Sequence, residues 1–472
     1  MGEAPIIWWV RKDLRLADNP VLTEVAGSGR PVIPVFILDE VFEGYGAAPR
    51  WRFGLGVEAF AEALEGIGSK LILRRGRALE SLRDLVAETG ADTVRWGRAY
   101  DPDQVKRDKA VKAGLGNDGI DAASVPGHVM FEPWTVETGT GGFYKVYTPF
   151  WKAVRERPVA EPDAAPTSLA APERWPASET PADWNLAADM GRGAEVVRRH
   201  LTLGEKAART RLGVFMRDKV ADYDEARDRV DEDGTSGLSE NLAWGEIGIR
   251  SCWHAGLRAR EDGKAGAETF LKELVWREFA YHLAWHTPRI TSANWREEWD
   301  AFPWNEDERR AEVKAWKRGR TGMAFVDAGQ REMYVTGRMH NRARMIVASY
   351  LTKHLMCHWK IGCDWFAEHL VDWDPASNAM GWQWSAGSGP DATPYFRVFN
   401  PETQVEKSDP GSHYVRAWIA EGQGDPPGTA LSYFEAIPES WNMSAEDAYP
   451  APVVGAKEGR ERALSAYQNR GF

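Results

Sequence analysis

The hydrophobic pattern of the first 130 or so residues alternates between two periods. The apolar runs IIWWV, VIPVFIL, KLILRRG and DTVRWG indicate short buried strands, whereas Arg52–Ile67 and Ala78–Thr89 carry helical spacing. Strands that alternate with helices predict a parallel sheet covered on both faces. Sheets of this kind bind ligands at the carboxyl ends of their strands.

The rest of the chain carries a helical pattern. Beyond about residue 204 the longest amphipathic runs are Ala267–His286 and Arg338–Trp359, and no strand pattern returns. On the N-terminal side of this helical region, Pro158–Asn185 is rich in Pro and Ala and has little periodicity, which is typical of a surface connector. We therefore predict an α/β plus all-α protein, with a doubly wound parallel-sheet domain at 1–135, a long linker at 136–204 and a helical domain at 205–472.

Composition excludes several classes of protein. Apolar residues make up 43% and charged residues 27%, as in ordinary globular proteins. The longest apolar runs are too short to cross a bilayer, and the N-terminus has no signal-peptide pattern. The three cysteines have no metal-binding or redox spacing. We expect a cytoplasmic protein without a membrane partner.

The charge balance gives a weaker indication. The net charge of −11 argues against binding nucleic acid. The charge of one face matters more than the total, however, and arginines are frequent in the second half of the chain. We therefore expect a local basic face on an acidic protein.

Four segments place polar residues together in a way that core packing does not require. The loop Gly234–Ser239 (GTSGLS) precedes a helix and could cradle phosphates, although a plain helix cap has the same composition. In ELVWREF, Glu273, Trp276 and Arg277 fall at i, i+3 and i+4 and share one helix face. That face suits a binding site, or alternatively an ordinary surface ion pair.

Further along, Asn341, Arg344 and Met345 of RMHNRARM share another helix face. Asp372 and Asp374 of VDWDPASN look like a metal pair, but no His or third carboxylate follows at ligand spacing. We therefore predict no metal site. The chain has 23 Trp against 13 Tyr and 17 Phe, and such an excess of Trp usually serves a specific task.

These motifs, from WWVRKDLRLADNP near the N-terminus through TGRMHNR and NAMGWQW to ALSAYQ, resemble the photolyase/cryptochrome family. The resemblance is closest to bacterial class I-type cyclobutane pyrimidine dimer photolyases. It implies light-dependent repair of cyclobutane pyrimidine dimers in UV-damaged DNA by electron transfer from excited, reduced FAD. The alternative is a cryptochrome-type blue-light photoreceptor without repair activity. A flavin enzyme with a soluble substrate would need a G-x-G-x-x-G motif after a strand, which we do not find.

The resemblance assigns roles residue by residue. It implies FAD contacts from Tyr223, Thr235, Ser236, Gly237, Leu238, Ser239, Phe270, Arg277, Arg344, Asp372, Asp374 and Asn378. Asp372 is the implied partner of Arg344. Asn378 would face flavin N5, where an amide has no acidic proton to donate. The implied catalytic residues are Glu273, Trp276, Asn341, Met345 and Asn378.

The resemblance also implies how DNA and electrons reach the flavin. DNA contacts are expected from Arg227, Glu273, Trp276, Arg277, Asn341, Arg342, Trp384, Arg397 and Gln404. The expected electron relay from the surface is Trp304, Trp359 and Trp382. Asn341 and Met345 stand where the related (6-4) photolyases carry histidines, which favours the cyclobutane dimer as substrate.

Some residues depart from the family pattern, namely Arg338, Ala379, Met380, Val405 and Ser408. Arg338 and Val405 would lie near the DNA-facing rim, so they bear on repair more than on flavin binding. A second, antenna chromophore would sit against the segment at 98–108. Asp103 and Gln104 there favour 5,10-methenyltetrahydrofolate over 8-hydroxy-deazaflavin. We expect a monomer.

Overall fold

The computed structural model describes residues 3–391 and 396–472. Its N-terminal part is a parallel sheet with the strand order β3-β2-β1-β4-β5. The strands are β1 (Ile6–Val10), β2 (Val32–Leu38), β3 (Ile72–Arg75), β4 (Thr93–Gly97) and β5 (Asp121–Val125). The predicted fold class is confirmed. The sequence pattern missed β5, because DAASV is half-exposed and lacks a run of large apolar residues.

Both faces of the sheet are covered, which explains why β1 and β2 are apolar throughout. The covering helices are α1 (Pro20–Gly27), α2 (Ala47–Glu65), α3 (Ala78–Thr89) and α4 (Pro102–Asn117). Trp8 and Val10 of β1 pack in one core with residues of α1 and α2, whereas Ile7 and Trp9 pack in another with residues of α3 and α4. The strand order reverses between β1 and β4, so the crevice typical of doubly wound folds opens between these two strands.

The helical part follows a connector with few regular elements. Helix α5 (Tyr147–Val154) precedes the connector and α6 (Gly193–Arg198) follows it. The remaining helices are α7 (Gly204–Asp218), α8 (Tyr223–Ala226), α9 (Ser239–Ala243), α10 (Ile249–Glu261), α11 (Ala267–His286), α12 (Ala311–Lys317), α13 (Ala324–Thr336), α14 (Asn341–Ser349), α15 (Trp359–His369), α16 (Pro375–Ala386), α17 (Pro401–Ser408), α18 (His413–Trp418), α19 (Gly428–Ala436) and α20 (Ala456–Gln468). In the two described stretches, no helix is both long enough and apolar enough to span a membrane.

The prediction of one long helix at Arg338–Trp359 is wrong. Two histidines start separate helices there, because the ring Nδ1 of His340 accepts the Arg342 N–H and that of His358 accepts the Lys360 N–H, each at 3.1 Å. Between them, α14 continues into a π-helix at Tyr350–His354. The segment is therefore helix, π-turn and helix, whereas α11 has the bounds that the pattern predicts.

A buried ionic contact joins the two parts of the molecule close to the GTSGLS loop. Arg52 of α2 is fully buried and donates to both carboxylate oxygens of Glu246, at 2.7 and 3.0 Å. It also lies 3.8 Å from Glu240 of α9, the helix that the loop precedes. Glu240 in turn accepts from Arg211 of α7 at 3.1 Å. The sheet domain thus fixes the helix at which the loop ends.

Candidate functional site

The GTSGLS loop opens onto a large cavity. Thr235, Ser236 and Gly237 line a space of about 800 Å³, and Gly237 adopts a φ of +61° that favours glycine. The basic residues on the walls of this cavity are Lys206, Arg211, Lys219 and Arg338. Leu238, by contrast, is buried in the core, with 1% of its surface exposed. Hydroxyl donors and cations around an open cavity fit an anionic diphosphate such as that of FAD.

Helices α8 and α11 bring four of the predicted residues into contact. Phe270 packs edge-on to Tyr223 at 6.2 Å between ring centroids. The Arg227 guanidinium lies 5.7 Å from the centre of the Tyr223 ring, and its Nη1 is 2.6 Å from Glu273 Oε1. The partner of Glu273 is therefore Arg227, across the fold, and not Arg277 on its own helix. The alternative of an i,i+4 surface pair is wrong.

Trp276, on the same face of α11, has a partner that the motifs do not reveal. Its half-buried indole stacks on Tyr147 of α5, with ring centroids 3.6 Å apart and planes 6° apart. Phe279 contacts both rings edge-on, at 5.8 Å from Trp276 and 5.9 Å from Tyr147. Trp276 is therefore fixed by aromatic neighbours and lies outside the closed core.

Arg277 points away from Glu273 into a partly buried polar chain. Its Nη1 donates to the His128 carbonyl, and its Nη2 lies 2.9 Å from His128 Nε2. The same Nε2 is 2.8 Å from the Tyr281 hydroxyl, which donates to Asp374. Burial lowers the pKa of His128 well below its usual value, so this imidazole is neutral. The chain connects Arg277 to Asp374, two predicted flavin contacts on different helices.

Further predicted flavin contacts lie on α14 and around the start of α16. Arg344 Nη2 donates to both oxygens of Asp372, at 2.8 and 2.9 Å, so the implied pair is formed. Asp374 caps α16 by accepting the Ser377 N–H at 2.8 Å. Asn378 donates its amide to the Cys363 carbonyl at 2.9 Å. Over residues 3–391 and 396–472, no group of three or more His, Cys, Asp or Glu could hold a metal ion.

The three predicted relay tryptophans have different surroundings. Trp382 is buried, and its indole N–H has no hydrogen-bond partner among the described residues. Its ring contacts are Phe366 at 4.9 Å and Trp316 at 6.1 Å. Trp359 is fully buried and donates to Asn294 at 2.8 Å. Trp304 is half-buried and donates to the Thr352 carbonyl at 3.3 Å.

A histidine links the outer two relay rings. His358 lies 5.4 Å from Trp359 and 5.2 Å from Trp304, centroid to centroid. Stepwise electron hopping requires oxidisable rings in near contact. The ring of Trp316 lies 6.1 Å from that of Trp382, so Trp316 is a further candidate for the relay that the motifs do not single out.

The predicted DNA contacts on α14 are connected to those on α8. Arg342 forms an ion pair with Asp228, the residue that follows Arg227, and its Nη1 is 3.9 Å from Met345 Sδ. Asn341 is exposed beside them. Continuous contacts thus run from Glu273 through Arg227 and Asp228 to the α14 face.

The remaining predicted DNA contacts lie elsewhere on the helical part. Trp384 and Gln404 are half-buried. The Arg397 guanidinium lies 5.6 Å from the centre of the Phe399 ring.

Most departures from the family pattern are packing residues. Ala379 and Ser408 are buried, and Met380 and Val405 pack against the two largest cores. Arg338 is different, because it lines the cavity of the GTSGLS loop and lies 3.8 Å from Glu240. It therefore belongs to the cationic wall beside the loop.

The segment expected to hold the antenna chromophore is closed. Asp101 caps α4 and accepts the Gln104 side-chain amide at 2.6 Å, so Gln104 is buried, whereas Asp103 is exposed. The cavity that this segment lines has a volume of about 30 Å³. The structure therefore gives no support for a second chromophore at this segment.

Comparison with known proteins defines the family. A model described as DNA photolyase matches residues 6–170, and one described as the FAD binding domain of DNA photolyase matches residues 270–469. A protein of Agrobacterium fabrum named deoxyribodipyrimidine photo-lyase is 44% identical over 471 residues, or 98% of either chain. The one from Escherichia coli is 33% identical and also covers 98% of both chains. The chain belongs to the DNA photolyase family.

Solved structures agree with this assignment. A bacterial class III photolyase from Agrobacterium tumefaciens superposes with a TM-score of 0.90 at 42% identity, covering 99% of this chain and 98% of its own. A Synechocystis cryptochrome superposes with a TM-score of 0.83 at 26% identity, covering 99% and 100%. The motifs that resemble class I-type enzymes therefore define the family and not the class within it.

Proposed function

We propose that this protein repairs cyclobutane pyrimidine dimers in UV-damaged DNA, with FAD held in the helical part. One observation supports this most strongly: the contacts that run from Glu273 through Arg227, Asp228 and Arg342 to Met345. They place an acidic acceptor, cations and a soft apolar side chain around one surface. A flipped pyrimidine dimer presents amide edges, phosphates and an apolar ring to its binding site, so these groups complement it.

FAD would be held by two sets of residues. The hydroxyls of Thr235 and Ser236, with the cations around them, suit its diphosphate. The Arg344–Asp372 pair, Asp374 and Asn378 would hold the flavin ring system and its ribityl chain. Held there in its reduced form, FAD would provide the light-driven electron transfer to the dimer that breaks the two carbon–carbon bonds of the cyclobutane ring, with the electron returned afterwards.

The protein contributes position and electrostatics. Trp276 would stack one base of the flipped dimer, which returns about 1–3 kcal/mol against a flipping cost of a few kcal/mol. Glu273 would accept a hydrogen bond from the pyrimidine edge, and Arg342 would contact a phosphate. Both are engaged in ion pairs in the DNA-free protein, so lesion binding exchanges these partners.

The direct test is light-dependent repair of synthetic oligonucleotides that contain either one cyclobutane dimer or one (6-4) photoproduct. We expect the cyclobutane substrate alone to be restored under blue light, and no repair in the dark. Repair of the (6-4) substrate would overturn the proposed specificity. Absence of any repair by reduced, FAD-loaded protein would favour a photoreceptor, the second candidate, which the likeness to a cryptochrome supports.

We include no antenna step in this proposal, since nothing in the structure supports a second chromophore at 98–108. We further propose that the protein acts as a monomer in the cytoplasm. Gel filtration with light scattering would test whether the protein is a monomer.

A further inference from the structure

The closest ring contact among the described residues involves a residue of α5 that lies outside the motifs named above. The centroids of Tyr147 and Trp276 are 3.6 Å apart, and their planes are nearly parallel. We propose that Tyr147 is a positioning residue that sets the plane of Trp276 for stacking on the lesion. This inference rests on the proposed function, because it concerns how that function selects damaged DNA.

The surroundings of Tyr147 hold its ring firmly. Its side chain comes from α5, whereas Trp276 and Phe279 lie on α11. Phe279 contacts both stacked rings edge-on, so the three rings brace one another across the two helices. Tyr147 is 8% exposed and Trp276 is half-buried. The Tyr147 ring therefore covers the inner face of the Trp276 indole and leaves the outer face for a base.

A hydrogen bond ties the same ring to the backbone beneath Trp276. The Tyr147 hydroxyl donates to the Lys272 carbonyl at 2.6 Å. In an α-helix this carbonyl is also the acceptor for the backbone N–H of residue 276, four positions later. Burial raises the pKa of Tyr147 above its usual value, which keeps the hydroxyl protonated as a donor. Tyr147 thus contacts both the indole and the helix turn that carries it.

Fixing the indole before DNA arrives has a predictable effect on binding. An aromatic side chain that is free to rotate loses that freedom when a base stacks on it, and this loss reduces affinity. A ring already held by a parallel neighbour avoids the loss. Tyr147 should therefore strengthen binding to flipped bases, while binding to undamaged duplex, which depends on phosphate contacts, should not involve it.

The test compares Tyr147→Leu, which removes the flat ring, with Tyr147→Phe, which keeps the ring and loses the hydroxyl. Dark binding to dimer-containing and undamaged oligonucleotides is measured for both, together with KM and kcat of repair. We expect Tyr147→Leu to weaken dimer binding about 2- to 10-fold and to raise KM by a similar factor, with kcat retained. Tyr147→Phe should retain most of the wild-type preference for dimer-containing over undamaged DNA. An equal loss on both DNAs would overturn the proposal.

A double-mutant cycle separates positioning from general destabilisation. If Tyr147 acts through Trp276, Tyr147→Leu should have no further effect on dimer binding in a Trp276→Ala background. The same loss in both backgrounds would overturn the inference. Tyr147→Met replaces Tyr147→Leu in the cycle if the latter does not fold. Failure of the wild-type protein to distinguish the two DNAs would instead contradict the proposed function.

Discussion

Two places where this fold could admit a ligand differ in how their charges are satisfied. Beside the crevice between β1 and β4, Arg107 lies 2.8 Å from Asp39, and Arg11, which lines the crevice, lies 2.6 Å from Asp108. The least buried of these side chains is 13% exposed. The cavity there measures about 30 Å³. Beside the GTSGLS loop, by contrast, cations surround a space of about 800 Å³.

The difference shows that the position of a crevice in a fold predicts ligand binding less well than the ion pairing of the side chains around it. The crevice of a doubly wound sheet commonly binds a ligand. Here its charges neutralise one another inside the protein. Beside the loop, Arg211 and Arg338 share the single carboxylate of Glu240, and Lys219 pairs with an exposed acid, Asp233. Lys206 on the same wall is exposed.

Lys12 is the exception in the crevice. Its ammonium has no hydrogen-bond partner in the described parts of the chain and lies 5.4–5.9 Å from the rings of Tyr45, Trp244 and Trp373.

The largest effect should come from the helical part, at Trp382. We expect Trp382→Phe to abolish photoreduction of the flavin, because phenylalanine is too hard to oxidise to pass an electron. Repair by protein that has been reduced chemically should persist, since the relay only refills the flavin. Flavin absorbance under steady blue light and a repair assay measure the two outcomes. Loss of both would place Trp382 in the lesion pocket.

A companion variant, Trp316→Phe, tests whether electrons also reach Trp382 through Trp316. It removes the indole that lies 6.1 Å from Trp382 and leaves Trp359 in place. A partial slowing of photoreduction would show that electrons also arrive through Trp316. An unchanged rate would restrict the relay to the residues that the family resemblance implies.

The crevice should respond through stability. Arg107→Leu leaves Asp39 buried without its partner, and we expect a loss of about 3–5 kcal/mol in the free energy of unfolding. The FAD content of the folded fraction should stay unchanged. Arg83→Leu is the control, because Arg83 pairs with Asp118 at the surface, and it should have no measurable effect on stability. Loss of flavin from folded Arg107→Leu protein would show that the crevice does serve the cofactor.

The lesion surface should respond through selectivity. Trp276→Ala should weaken binding to dimer-containing DNA by about 1–3 kcal/mol, the value of one base stack, and should leave binding to undamaged DNA unchanged. Trp134→Ala is a control, since that indole is 39% exposed and packs on Trp285. If Trp276→Ala lowered the melting temperature and both affinities together, Trp276 would be a core residue.

The smallest effect concerns the salt dependence of DNA binding. Arg342→Ala should flatten the log–log slope of affinity against salt by about one unit, as should Arg397→Ala. Asp228→Asn should act in the opposite direction, because it frees Arg342 from its ion pair. The slopes come from titrations at several salt concentrations. A slope near zero in the wild-type protein would argue for a photoreceptor.

Much of the fold could be predicted because its pattern is local. Strands β1 and β2 are apolar throughout since both faces are buried, and the helical spacing of α3 and α11 predicts their bounds. Strand β5 is half-exposed and carries no such pattern. The break between α14 and α15 depends on the histidine caps, which compete with an otherwise helical spacing.

The contacts of the candidate site also divide into local ones, which the sequence pattern predicts, and distant ones, which it does not. Helical spacing places Glu273 and Trp276 on one face, but it cannot reveal that Arg227 and Tyr147 meet them there. These contacts join segments that are far apart in the chain, at separations of 46 residues for the Arg227–Glu273 ion pair and 125 for the Tyr147–Lys272 hydrogen bond. Single-sequence patterns carry no signal for such distances. Tyr147 and His128, which lie in or near the linker, were missed for this reason.

The central claim, that the helical part alone holds the cofactor, is tested most directly by the flavin released when purified protein is denatured. We predict one FAD per chain from the wild type and a clearly reduced amount from Asp372→Asn, which weakens the pair with Arg344. Asp103→Asn, in the closed segment at 98–108, should release as much FAD as the wild type. Release of FMN alone, of no flavin from a folded protein, or a loss of FAD in Asp103→Asn equal to that in Asp372→Asn would contradict the account.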